Sequence, residues 1–200
     1  MTRCWDDREN FLLKEAERDL LRVDGVRPCL LAFRGEESLV CAFLREPPKG
    51  EDVWSLIEVA ALTQALGADR LAFSVSGRAW SFDDPIVPVA GDVDLRQRIV
   101  QIITVDGHRQ RAVRTETVHP FEIRGGEVRW DEPLELGPSE GYVGHMLELG
   151  VRERHQLVRP LEEVRDQAMR CVALGHLIAL DPKTSDRLGF GPEHFDTAEV

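Results

Sequence analysis

Apolar residues crowd the stretch 51–66, EDVWSLIEVAALTQAL, more densely than a surface helix requires. Val53, Leu56, Ile57, Ala60 and Ala61 recur at the i, i+3, i+4, i+7 spacing of one helical face. Trp54, Val59, Leu62 and Leu66 widen that face until only Ser55, Glu58, Thr63 and Gln64 are polar. A helix this apolar has to be covered on most sides. Pro47 and Pro48 precede it, Glu51 and Asp52 suit its positive N-terminal end, and Gly67 suits its C-terminus.

Short β-prone segments flank it. Residues 29–34 and 39–45 predict an antiparallel pair around Glu36-Glu37, apolar on both faces and therefore covered on both. Placing 29 opposite 44 and 41 opposite 32 sends Cys29 and Cys41 to opposite faces, so no disulfide is expected between them. Residues 70–76 predict another strand, and the aspartate-containing stretch 83–95 a long loop. Residues 98–105 and 108–118 predict a hairpin turning at Asp106-Gly107. Residues 120–124 and 127–131 predict a second, turning at Gly125-Gly126, with Phe121 opposite Trp130 and Ile123 opposite Val128.

The two ends read as helical. Residues 6–21 place Leu12, Leu13, Ala16 and Leu20 on one side of a helix. From Pro138 the pattern predicts one helix to about Leu149 and a longer one from Pro160 through Ile178, ended by Asp181-Pro182. The expected fold class is α+β: a mostly antiparallel sheet with helices on both faces, plus C-terminal helices. Residues 1–182 form the single expected domain, with 138–182 as a helical sub-lobe and 183–200 as a peripheral or poorly ordered tail. The order of elements over about 6–160 is similar to that of roadblock and longin (profilin-like) domains, in which two strands, a helix and three strands precede further helices. That resemblance involves no diagnostic motif. It implies an interaction platform, and fold alone does not fix function.

Charge narrows the partners. The formal net charge is −11, which disfavours nucleic acid and anionic membranes as general partners. The charged start MTRCWDDREN and the lack of any long apolar run make a cytoplasmic protein with reduced thiols the expectation. The four cysteines, Cys4, Cys29, Cys41 and Cys171, match no metal-binding spacing.

No catalytic signature is present. There is no phosphate-binding glycine loop and no nucleophile elbow. His145 and Glu148 share a helix face but lack a second matching pair, so no metal site is expected. Cys171 and His176 lie five apart on the expected last helix and point too far apart to work on each other. No cofactor is expected.

The departure from average is a basic group on an acidic chain. Arg96, Arg98, Arg109, Arg111 and Arg114 stand against the single acid Asp106 between residues 96 and 114, and Arg152, Arg154 and Arg159 add a second group. Arg109, Arg111, Arg114, Arg152 and Arg154 are the expected binding residues, for a protein partner or a second copy of the chain. Intramolecular ion pairs would account for the same pattern. The expected function is an interaction or assembly module that self-associates. The alternative is a metal-dependent hydrolase or nuclease-like enzyme using carboxylates such as Asp83, Asp84, Asp92 or Glu116.

Overall fold

In a computed structural model of the chain, the described residues are 4–23, 25–46, 54–79, 96–107, 112–138, 141–151 and 159–190. They form an α+β fold on one antiparallel sheet of eight strands, with five helices. Helix α1 (Arg8–Val23) precedes strands β1 (Cys29–Arg34) and β2 (Glu37–Phe43), then helix α2 (Trp54–Leu66). Strands β3 (Arg70–Arg78), β4 (Arg98–Asp106), β5 (Val113–Arg124), β6 (Glu127–Trp130) and β7 (Leu134–Gly137) follow. The chain continues through α3 (Tyr142–Gly150), α4 (Leu161–Ala173), β8 (Leu177–Leu180) and α5 (Pro182–Leu188). Across the sheet the order is β6-β5-β4-β3-β1-β2-β8, and β7 pairs with β5 off that path.

Alternation along the central strands divides the core. Leu30, Ala32, Val40 and Ala42 pack with Leu56, Val59, Leu62 and Leu66 of α2, and with residues of α3, α4 and α5. Leu31, Phe33, Cys41 and Phe43 pack with Leu12, Ala16 and Leu20 of α1. Successive strand residues point to opposite sides, so a pair apolar at every position feeds two separate clusters. Both strands are buried almost throughout.

Helix α2 is held closely. A side-chain carbon added to Gly150 at the end of α3 would sit 2.7 Å from Thr63 Oγ1 and 3.2 Å from Ala60 Cα. The Thr63 hydroxyl lies 3.0 Å from the Gly150 carbonyl and 2.9 Å from that of Ala60. Only glycine lets the two helices approach this far.

Four expectations are corrected. The β1–β2 register sets Cys29 opposite Phe43 and Leu31 opposite Cys41, with a bulge between Ala32 and Phe33. The pairing is thus one residue away from the expected one, which turns the side chains over. Both thiols then lie on one face, 3.8 Å apart and not joined in a disulfide. The second correction is the Asp106-Gly107 turn. Asp106 pairs with Val113, so the connection is longer than two residues. Gly107 is occupied otherwise: its N–H donates to Asp69 O at 2.7 Å, and Val151 lies against it.

Third, the helix from Pro160 stops at Ala173. Gly175 turns the chain at φ +97°, a conformation that suits glycine, and residues 177–180 become β8 beside β2. Fourth, Asp181-Pro182 starts a helix instead of ending one. The Asp181 carboxylate accepts from Lys183 N at 3.1 Å, and Pro182 takes the first helical position. Helix α5 and the residues after it bury Thr184, Leu188 and Phe190. The 83–95 loop lies outside the described residues.

Replacing Gly150 by Ala should cost about 1–3 kcal/mol, the usual range for overpacking a filled interior. Urea unfolding of the variant checks this; an unchanged midpoint would mean that α3 does not approach α2 so closely.

Candidate functional site

Among the expected binding residues, Arg109, Arg111, Arg152 and Arg154 lie outside the described residues. Arg114 is on β5 and is turned inward. Its Nε is 3.2 Å from Glu148 Oε1, and its Nη1 is 3.0 Å from His145 Nδ1. It ties β5 to α3, so His145 and Glu148 serve an arginine. Arg98 lies over the Phe121 ring, 4.9 Å from its centre. Of the second basic group, Arg159 is described, and it borders a cleft considered below.

The most highly bonded polar cluster centres on Glu58 of α2. Arg45 grips its carboxylate with two hydrogen bonds, Nε to Oε2 and Nη2 to Oε1, both 3.0 Å. His176 Nε2 lies 2.8 Å from Oε2, while its Nδ1 is 3.1 Å from the Arg45 backbone N–H. The backbone can only donate, so Nδ1 accepts and Nε2 carries the proton. The Glu58 carbonyl meets the Cys171 thiol at 3.5 Å and the Gln167 amide at 3.3 Å. Cys171 and His176 therefore both contact Glu58.

This cluster is a clamp. The Arg45 hydrogen bonds hold the Glu58 carboxyl below its ordinary range despite partial burial. Burial pushes the Cys171 thiol up to about 11, away from the reactive thiolate. Neutral His176 satisfies both its neighbours, and burial lowers its pKa. Together these groups fasten α2 to the end of β2 and to the turn between α4 and β8.

His119 of β5 is also buried, edge-on to Trp130 at 6.4 Å between ring centres. Its Nε2 is 3.1 Å from Glu9 Oε1 but directed poorly for a hydrogen bond. Burial lowers its pKa too.

A cleft of about 200 Å³ opens where α2 ends and α4 and α5 begin and end. Arg34, Arg159 and Arg187 line it, one from β1, one just before α4 and one from α5. Among the described residues, Ala65, Leu66, Leu161, Val164 and Leu188 supply the rest of its wall, and none of them is acidic. Arg34 is fixed there because its guanidinium donates to the Leu66 carbonyl and, at 3.3 Å, to that of Gly67. It thereby caps the C-terminus of α2, where cations are favoured. Arg159 Nη1 lies 3.5 Å from Glu163 Oε2, with both side chains more than half exposed. Exposed pairs of this kind hold their partners weakly.

Sequence spacing revealed only Arg159 of these three, because the cleft gathers residues that are distant along the chain. Among the described residues, no group of three or more His, Cys, Asp and Glu is placed to hold a metal ion. Glu116, a candidate ligand, is engaged by Gln101 Nε2 at 2.5 Å; Asp83, Asp84 and Asp92 lie outside the described residues. No helix among the described residues is long and apolar enough to cross a membrane. No family model, curated protein or solved structure matches the chain.

His176 and His119 set a pH dependence. Both have folded-state pKa values below the ordinary 6.5, so the unfolded chain takes up protons first. Their contribution is complete above about pH 6.5 and declines as the pH falls from there towards the lowered native values. Urea unfolding between pH 7.5 and 5 should show falling stability, with a shallower slope in His176→Gln. An equally steep slope in that variant would remove His176 as a source.

Proposed function

We propose that this chain is a non-catalytic interaction and assembly module that associates with a second copy of itself. The observation that carries this reading is the edge formed by β8. Among the described residues the sheet ends there, on the sequence LIAL, with no charge and no proline. Natural sheets usually blunt such an edge with charge, proline or a bulge. The opposite edge strand, β6, follows that practice with Glu127 and Arg129.

The ladder decides which groups β8 offers. Asp181 N–H donates to Leu39 O at 3.0 Å, so position 181 faces β2. Hydrogen-bonding direction alternates along an antiparallel strand, and positions 179 and 177 therefore face β2 as well. Ile178 and Leu180 turn their N–H and C=O groups to the open side. A second β8 related by a twofold axis matches this spacing. Ile178 pairs with the partner's Leu180, and Ala179 lies opposite the partner's Ala179. Leu177 and Ala179 are exposed on one face of β8, so this pairing brings apolar side chains together across the axis.

Light scattering of the natural chain should give a dimer, and Ala179→Lys, which sets like charges against each other, should give a monomer with unchanged circular dichroism. A directly opposed pair of this kind is close enough for a disulfide. Ala179→Cys should therefore cross-link under mild oxidation where the natural chain does not. A strict monomer at high concentration would overturn self-association. A dimer insensitive to both substitutions would move it to another surface.

A further inference from the structure

We infer that the cleft bounded by Arg34, Arg159 and Arg187 receives an acidic segment of a partner protein, one that places an apolar side chain between carboxylates. The charge arrangement argues for this occupant. Three guanidiniums from separate parts of the chain surround an apolar floor, and no acid among the described residues lines the cleft. The chain as a whole is strongly acidic, so this is a local reversal of sign. Arg187 has no ion-pair partner among the described residues, and its helix is anchored by buried Thr184 and Leu188. Arg34 is held in place by the carbonyls at the end of α2. Arg34 is thus already positioned before a ligand arrives, which lowers the cost of binding.

Size argues for a peptide side chain over a free small molecule. The cleft measures about 200 Å³, below the roughly 300–1,000 Å³ of ordinary small-molecule sites. Leu161 at its rim is 53% exposed, an apolar contact left for an incoming side chain. Carboxylates flanking that side chain would meet Arg159 and Arg187, and guanidinium groups pair well with planar carboxylates. Glu163 would yield Arg159, since their present contact is long and exposed.

This inference extends the interaction-module reading and does not depend on the β8 edge. Its test uses the full chain and a fluorescent peptide of sequence EDLEEF, followed by polarisation at low ionic strength. Saturable binding should weaken roughly tenfold or more in Arg187→Glu and as the salt is raised. It should also weaken in Leu161→Asp, and the uncharged peptide QNLQQF should not bind. Absence of saturable binding overturns the inference, as does equal binding by Arg187→Glu or equal binding of QNLQQF. If Arg187→Glu instead dissociates a dimer, the cleft's occupant is a second copy, and the acidic partner is again ruled out. The peptide-binding outcomes do not bear on the Ala179 substitutions, so failure of the cleft and failure of the β8 edge are distinguishable.

Discussion

Helix α2 has too few polar residues to stand in water, and burying it on several sides at once organises everything around it. Its apolar residues fill the cluster beneath β1 and β2. Its few polar residues then do something more specific. Glu58 holds Arg45, His176 and the end of α4; Thr63 meets the Gly150 carbonyl of α3; Gln64 Nε2 donates to the Leu149 carbonyl at 3.0 Å. Buried Thr63 must find a partner, and together these three side chains help determine where the neighbouring helices sit. The same packing places the end of α2 beside α4 and α5, and that junction is the arginine-bordered cleft.

Segments whose signal is local were legible in the sequence. Helices α1 and α2 followed from their apolar spacing. The β5–β6 hairpin followed from Gly125-Gly126, and Phe121 does face Trp130, with ring centres 5.5 Å apart. Segments decided by distant partners were misread. The Ala32–Phe33 bulge cannot be seen in an unbroken apolar run, yet it determines where Cys29 and Cys41 point. Residues 177–180 fit a helical stripe as well as a strand; the free edge of β2 decides the matter. Asp181-Pro182 can stop one helix or start another, and the Asp181 cap shows that it starts one. Strand β7 is short and wholly exposed, leaving no alternation to read.

The same division runs through the candidate sites. Of the expected binding residues, Arg114 is the one among the described residues, and it is spent on Glu148 and His145. Conversely, Arg34 and Arg187 look ordinary in sequence and converge only through β1, α2 and α5. On one continuous helix Cys171 and His176 would point too far apart to meet; the helix stops at Ala173, and the fold brings both to Glu58. Long-range convergence of this kind leaves no spacing signature.

Amide hydrogen exchange along α2 tests its central place most directly. If the sheet, α3 and α4 enclose it, amides between residues 56 and 66 should exchange only through global unfolding, among the slowest in the chain. Exchange of those amides as fast as that of the exposed strand β7 would contradict the enclosure of α2, and with it the arrangement of every element packed against that helix.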